Sequence, residues 1–168
     1  MTADLFWIPG PWTGRLAIAG RPRGGDWLDD EARGWRQAGL DVLVSLLEEE
    51  EAAELGLAHE DEAAASNGIR FVSFPIPDRG VPISAERTVA LLKDIGGALD
   101  DGKNVAVHCR QGIGRSGLIA AAALATAGMG VGRAIEVVSA ARGQEVPETA
   151  SQYRWIHHLV SERLAEAV

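Results

Sequence analysis

The hydrophobic positions along this chain follow two rhythms in turn, one of about two residues and one of about 3.6. Arg15-Leu16-Ala17-Ile18-Ala19 alternates, as a half-buried strand does. Val42 to Leu46 and Ile69 to Pro75 are short apolar runs of the kind that form buried strands in a parallel sheet. Asn104 to Val107 is another. Between these runs the period lengthens. A helix is predicted from Asp26 to Gly39, with Trp27, Leu28, Ala32, Trp35 and Ala38 facing inward. A second spans about His59 to Ser66 and stops at Asn67-Gly68. Ser84 caps a third that runs to about Leu99, with Thr88, Leu91, Leu92, Ile95, Ala98 and Leu99 on its apolar face. Past the last strand the pattern is helical throughout. Ser116 to Ala127 is apolar nearly all round, which predicts a buried central helix ending at Gly128 and Gly130. Val131, Ala134, Ile135, Val138 and Ala141 give the next helix its face. A final helix, about Thr149 to Glu166, is predicted to bury Trp155, Ile156, Leu159, Val160 and Leu164. Residues 1–14 are rich in Trp, Pro and Gly and lack a clear period. They read as a lead-in that packs Phe6, Trp7 and Trp12 onto the body.

Strands alternating with helices, then helices alone, predict an α/β fold. The expectation is a single domain over residues 1–168, with a central, mostly parallel sheet flanked by helices and a helical C-terminal layer. A chain of 168 residues is long enough for one such core. Its net charge of −8 argues against a nucleic-acid partner. No apolar run is long enough to span a bilayer, and Met1 to Pro9 lacks the order of a secretory signal, so no membrane partner is expected. The lone cysteine, Cys109, cannot form an internal disulfide, which fits a reduced, cytoplasmic setting. His59, His108, His157 and His158 show no ligand spacing with one another or with Cys109, so neither a metal nor a cofactor is expected. The acidic run Glu48 to Glu51 is expected to be a solvated first helical turn, where acids suit the helix dipole. The rival reading of that run is a partner-binding patch.

The chemistry concentrates in His108-Cys109-Arg110-Gln111-Gly112-Ile113-Gly114-Arg115-Ser116, a loop between a strand and a helix start. Free N–H groups and the positive end of the dipole at a helix start suit an anion. Gly112 and Gly114 let the backbone fold into a nest of N–H groups. The same field favours thiolate over thiol at Cys109. The bland use of a lone cysteine is an inert buried thiol; in this loop it reads as a nucleophile. It would attack phosphorus in line and form a cysteinyl-phosphate. The amides of Arg110, Gln111, Gly112, Ile113, Gly114 and Arg115 would hold the equatorial oxygens. The planar fork of Arg115 would grip two of them. The Ser116 hydroxyl would donate to the sulfur and ease its departure; its bland use is a helix N-cap, and the two roles are compatible. His108 lies one residue back on the strand, so its side chain faces away from the pocket and is expected to orient the loop through hydrogen bonds.

The Cys-x5-Arg spacing, with its His-Cys start and Gly-x-Gly-Arg-Ser end, resembles the signature of the protein tyrosine phosphatase superfamily. Ile76-Pro77-Asp78-Arg79-Gly80-Val81-Pro82 resembles that superfamily's mobile Trp-Pro-Asp loop, with Ile76 in the place of the tryptophan. The resemblance implies that Asp78 is the general acid of the first step and the base of the second. Taken on its own residues, Asp78 beside Pro and Gly equally suits a turn cap, and Arg79 reads as solvated. Glu148-Thr149-Ala150-Ser151-Gln152 resembles the family's Gln-Thr-x-x-Gln segment. Gln152 matches the second glutamine, which implies a role in placing the hydrolytic water, and Glu148 stands in for the first. From about Gly14 onward the order of elements is similar to the compact dual-specificity phosphatases. The likeness is greatest to the kinase-associated type, through the Gly-Ile-Gly-Arg-Ser loop end and the Gln152-Tyr153 helix start. Asp78 precedes Cys109, which sets the chain apart from low-molecular-weight phosphatases and arsenate reductases.

The expected function is therefore hydrolysis of phosphotyrosine, and by extension phosphoserine and phosphothreonine, in a phosphorylated protein or peptide. Three alternatives compete with this reading. A phosphoinositide phosphatase often carries a more basic loop than one with only Arg110 beside Arg115. A rhodanese-type sulfurtransferase would need neither Asp78 nor the Gly-Arg-Ser ending. A phosphate-binding pseudoenzyme would require a broken catalytic set.

Overall fold

The structure, a computed structural model, describes residues 3–166 and the side chains of residues 3–162. In chain order the strands are β1 (Leu5–Ile8), β2 (Leu16–Ala19), β3 (Val42–Ser45), β4 (Arg70–Ser73) and β5 (Val105–His108). The helices are α1 (Leu28–Gln37), α2 (Glu49–Glu54), α3 (Glu60–Ser66), α4 (Ala85–Asp100), α5 (Gly114–Thr126), α6 (Val131–Arg142) and α7 (Ala150–Glu166). The strands form one sheet in the order β1-β2-β5-β3-β4. Only β1 runs antiparallel to its neighbour; β2, β5, β3 and β4 are mutually parallel. The α/β class and the helical C-terminal layer are as the sequence pattern predicts.

Alternate residues of the central strands feed two layers. Leu16, Ile18, Val42, Val44, Val105 and Val107 meet the large core under α4, α5, α6 and α7. Ala17, Ala19, Leu43 and Ala106 face the other way, toward Trp35, Leu40, Ala64 and Ile69. The alanines on that face leave room for the indole of Trp35, which is 1% exposed. The six residues expected on the inner face of α4 are all buried, and Ser84 Oγ accepts from the Arg87 N–H at 3.1 Å. Residues 114 to 125 of α5 are all buried, so the helix that carries Arg115 is packed on every side.

Four expectations need correction. Residues 1–14 are not a simple lead-in: β1 is an edge strand, with Leu5 opposite Ala19 and Ile8 opposite Leu16. Phe6 and Trp12 pack against one core and Trp7 against the other, so its faces are both apolar and no alternation shows. For the same reason β2 is fully buried rather than half-buried, with β1 and β5 on its edges. In the first helical segment Trp27 is 53% exposed, lying in a 3₁₀ turn beneath the Arg23 guanidinium, and Ala38 is also exposed. The inward position is taken instead by Glu31, whose carboxylate accepts from Arg23 at 2.6 and 2.8 Å and from the Ala3 N–H at 2.9 Å. In α7, Ile156 and Leu159 are buried and Trp155 and Val160 half-buried, while Leu164 lies outside the described side chains.

Candidate active site

The parallel register of β5 between β2 and β3 brings the cysteine loop to the carboxyl end of the sheet, where His108 sits opposite Ser45. Cys109 is 3% exposed, and its Sγ accepts from the Gly112 N–H at 3.3 Å. Gly112 holds φ at 71°, a conformation open to glycine and strained for other residues. The peptides of this turn have a brace outside. Arg142 Nε donates to the Gly112 carbonyl at 2.9 Å and Nη2 to the Gln111 carbonyl at 3.2 Å, while its guanidinium lies over the Phe6 ring. Carbonyls held outward turn the following N–H groups inward, which is the arrangement an oxyanion requires. Gly114 starts α5 where a side chain would collide: a Cβ there would stand 3.0 Å from Gln152 Nε2 and from Glu148 Oε2.

Arg115 is 2% exposed and its fork is fully engaged. Nη1 and Nη2 donate to the two oxygens of Glu51 at 2.6 and 2.9 Å. Nη1 also donates to the Ile76 carbonyl at 2.9 Å, and Nη2 to Asp78 Oδ1 at 3.1 Å. Burial alone disfavours the charged guanidinium, but the Glu51 hydrogen bonds and the negative charges of Cys109, Glu51 and Asp78 outweigh it, so its pKa is raised. Glu51 corrects the solvated reading of the acidic run. Glu48, Glu49 and Glu50 are exposed, but Glu51 is 8% exposed and turned into the site. Burial pushes its carboxyl up; hydrogen bonds from Arg115 and the Glu48 N–H, with the charges of Arg115 and Arg110, prevail and hold it below its ordinary value. The Glu48 N–H bond belongs to a capping box that opens α2, so the helix start fixes the carboxylate that fixes Arg115.

The other expected residues fall around this pair. His108 is fully buried and turned away from the cleft, its Nδ1 3.3 Å from the Cys109 carbonyl and its Nε2 2.9 Å from Glu60 Oε1. Ser116 is buried within the first turn of α5 and its hydroxyl has no hydrogen-bond partner; Ile113 occupies the N-cap. The N-cap use of Ser116 is thereby excluded, and donation to Cys109 is not made in this conformation. Asp78 and Arg79 overhang the cysteine from the β4–α4 connection, and Ile76 is buried beneath them. Arg79 is not simply solvated: Nη1 meets Glu148 Oε1 at 2.5 Å. Gln152 is 0% exposed and its amide is spent on backbone. Its Oε1 accepts from the Glu148 and Thr149 N–H groups, each at 3.1 Å, and its Nε2 donates to the Gly80 carbonyl at 3.0 Å. The side chain that reaches the cleft from this segment is Glu148.

Cys109, Arg110, Gln111, Gly114 and Arg115 form the floor of a cleft of about 90 Å³, with Asp78, Arg79 and Glu148 at its mouth. A much larger concavity, about 860 Å³, lies away from these residues between α4, α5 and α7, and its lining holds no cysteine, serine or histidine. Among the described residues no group of three His, Cys, Asp or Glu side chains is placed to hold a metal ion. The cleft brings together a cysteine sulfur, backbone N–H groups, a buried fixed cation and a carboxylate at the mouth. Those are the parts needed to transfer a phosphoryl group to sulfur and protonate its leaving group.

Comparison with known proteins accords with this geometry. A profile of the Tc-R-P family, described as the DSP-PTPase phosphatase of polymorphic toxin systems, matches residues 17–129. That span holds Asp78, Cys109 and Arg115 and is well over half of the chain. No curated protein matches. The active form of Tk-PTP is 30% identical, over 88% of this chain and 92% of that one, with a TM-score of 0.73. Kinase associated phosphatase, solved with its catalytic-site cysteine replaced by serine, is 18% identical and shares the fold over 98% of both chains, with a TM-score of 0.89. PTPMT1 in complex with PI(5)P is 19% identical, over 96% of this chain and 98% of that one, with a TM-score of 0.78. The chain belongs to the DSP-PTPase phosphatase family, and with it to the compact dual-specificity branch of the protein tyrosine phosphatases, which makes it a phosphoric monoester hydrolase.

Proposed function

We propose that this chain, acting as one domain over residues 1–168, hydrolyses phosphotyrosine, and with it phosphoserine and phosphothreonine, in proteins or peptides by way of a cysteinyl-phosphate on Cys109. The observation that carries the reading is the meeting of Asp78 Oδ1 with Arg115 Nη2, 3.1 Å apart, over a cleft floored by the cysteine. A carboxyl at that place stands where the ester oxygen of a bound phosphate emerges. In the first step the Cys109 thiolate attacks phosphorus and the P–O bond breaks. Asp78 gives its proton to the departing oxygen. The inward amides of residues 110–115 and the fork of Arg115 hold the three non-bridging oxygens. In the second step water attacks phosphorus, the S–P bond breaks, its electron pair returns to sulfur, and Asp78 takes the proton of the water. The unpartnered Ser116 hydroxyl is the group we assign to the departing sulfur. Gln152, with its amide already engaged, supports the acid loop rather than the water.

One feature favours a second reading, a phosphoinositide substrate. The mouth is made of polar side chains, with no aromatic ring among the cleft residues to flank a phenyl group. Among the described residues no helix is long and apolar enough to cross a membrane. Rapid acid quench with labelled substrate tests the mechanism: a phosphorylated Cys109 peptide supports it, and turnover with no labelled cysteine overturns it. A steady-state panel of phosphotyrosine peptide, phosphothreonine peptide and soluble phosphoinositide decides the substrate. A kcat/KM for the phosphoinositide tenfold above both peptides would replace the first reading with the second.

A further inference from the structure

We propose that Arg79 and Glu148 are positioning residues, an ionic clasp that holds the acid loop shut over the cleft and so sets how often Asp78 is in reach of the leaving group. The inference rests on the reading of Asp78 as the proton donor. Three observations carry it. Arg79 has φ of 60°, a left-handed conformation that an L residue seldom adopts unless its surroundings hold it there. It stands at the third position of a turn closed by the Gly80 N–H donating to the Pro77 carbonyl at 2.8 Å, and its side chain is held by a residue remote in sequence: Nη1 meets Glu148 Oε1 at 2.5 Å across the mouth of the cleft. The next residue is tied to the same segment, since the Gly80 carbonyl accepts from Gln152 Nε2 at 3.0 Å. The position of Asp78 is thus fixed from one side by Arg115 and from the other by two bonds to the segment that opens α7.

The two bonds differ in character. Gln152 is fully buried and its amide oxygen accepts from the N–H groups of residues 148 and 149, so it is a fixed anchor. Arg79 is 64% exposed and Glu148 29%, so their pair makes and breaks in water. Glu148 has a second function in this arrangement. Its Oε2 lies against Gly114 on the phosphate side of the cleft, where a bare carboxylate would repel the substrate. The guanidinium of Arg79 neutralises it when the loop is shut. Closing the loop therefore brings in the acid and removes an opposing charge in one movement. The acidic residue in place of the family's glutamine, and the arginine beside the acid, are two halves of one device.

The test compares kcat/KM for dinitrophenyl phosphate, a good leaving group, with that for phenyl phosphate, a poor one. Both carry the same phosphate, so effects on phosphate binding cancel in the ratio, and only help to the leaving group remains. Arg79→Glu and Glu148→Arg should each raise the ratio about fivefold, the upper range for a solvent-exposed pair. The double exchange, Arg79→Glu with Glu148→Arg, restores the attraction with the charges swapped and should return the ratio to within about twofold of wild type. Single variants with an unchanged ratio, or a double variant as impaired as the two singles combined, would overturn the clasp. Nitrogen relaxation dispersion at the Gly80 amide is the second readout. Microsecond-to-millisecond exchange should grow in each single variant and subside in the double, and its absence from both singles counts against the proposal. Asp78→Asn separates the two claims. If it leaves the ratio unchanged the donor reading fails, while the Gly80 measurement still decides the clasp.

Discussion

Replacing Glu51 with alanine strips the buried side of Arg115 and removes no group that itself lines the cleft. Both partners are nearly sealed from water, with side-chain exposures of 2% and 11%. Breaking a buried, hydrogen-bonded ion pair by removing one partner typically destabilises by about 3–5 kcal/mol, because the other charge is left uncompensated. Here the guanidinium keeps the Ile76 carbonyl and Asp78, which places the loss at the low end, about 3 kcal/mol. For a chain of this size that corresponds to a fall in Tm of roughly 6–12 °C. The kinetic effect is separate. Without the two-point grip the fork can rotate, and a misplaced oxyanion donor lowers kcat by ~10²-fold or more. Thermal unfolding by circular dichroism and steady-state hydrolysis of p-nitrophenyl phosphate measure the two effects. A Glu51→Ala protein with Tm within about 2 °C and kcat within about threefold of wild type would refute the reasoning, since no other described residue replaces the carboxylate.

Glu51→Gln separates charge from shape, and pH exposes the difference. The folded carboxyl lies below its ordinary value of 4.5. Its contribution to stability is therefore complete above that value and is lost as pH falls through the lower folded value. The gap in stability between wild type and Glu51→Gln should hold constant near neutrality and close below pH 4.5. A gap that persists unchanged into that acid range would mean that the ion pair is not what stabilises the wild type.

Three further outcomes follow from the same geometry. Cys109→Ser should end turnover of p-nitrophenyl phosphate while inorganic phosphate still raises its Tm; turnover near wild type would remove Cys109 from the chemistry. Asp78→Ala should slow phenyl phosphate by ~10²–10⁴-fold and dinitrophenyl phosphate far less, and equal losses on both would point to a binding role instead. Arg142→Ala frees the Gln111 and Gly112 carbonyls and should lower kcat/KM by about tenfold, comparable to losing one charged hydrogen bond. Lysine should not rescue it fully, because its single nitrogen lacks the two separated donors, Nε and Nη2, that meet the two carbonyls; full rescue by lysine would sink the brace.

The fold was legible because its elements are locally encoded. The apolar runs at Val42 and Val105, the six-residue inner face of α4 and the all-round apolar α5 each announce their place without reference to the rest. β1 was missed because an edge strand that packs apolar residues on both faces has no alternation to read. The cysteine loop was legible because its parts are contiguous, from Cys109 to Ser116. Its supports were not. Glu51 is 64 residues from Arg115, Glu60 is 48 from His108 and Arg142 is 31 from Gln111, and only the folded chain brings them together. Local rules mislead most at Glu51. An acid in the first turn of a helix is normally solvated, and the same residue type in the same turn is here the buried partner of the site's cation. The one available signal was the spacing of Glu48 and Glu51, which fits a capping box and therefore a side chain folded back on the helix start.

The two halves of the site differ in stiffness, and the proposed chemistry explains why. The nucleophile must meet phosphorus in line, so its loop is held by atoms that cannot easily move. β5 lies between two parallel neighbours, α5 is buried along its length, and a Cβ on Gly117 would come within 2.6 Å of Val146. The acid must approach and then withdraw, or the product could not leave. Its loop leaves the sheet through backbone bonds from the N–H of Phe74 to Ser45 and of Ile76 to Leu46. Between Ile76 and Val81, where it rejoins the core, it is held to the rest of the chain by polar contacts at Asp78, Arg79 and Gly80. The contact between Asp78 and Arg115 carries a further consequence. A phosphate oxygen needs the same Nη2 that Asp78 Oδ1 now occupies, so the Asp78 carboxylate itself, rather than the shut loop, is what phosphate displaces. Arg115 does not move in this exchange, because Glu51 and the Ile76 carbonyl hold it from behind. The cation stays fixed while the carboxylate on its open side is replaced by phosphate, which on the proposed mechanism frees Asp78 to act on the leaving oxygen.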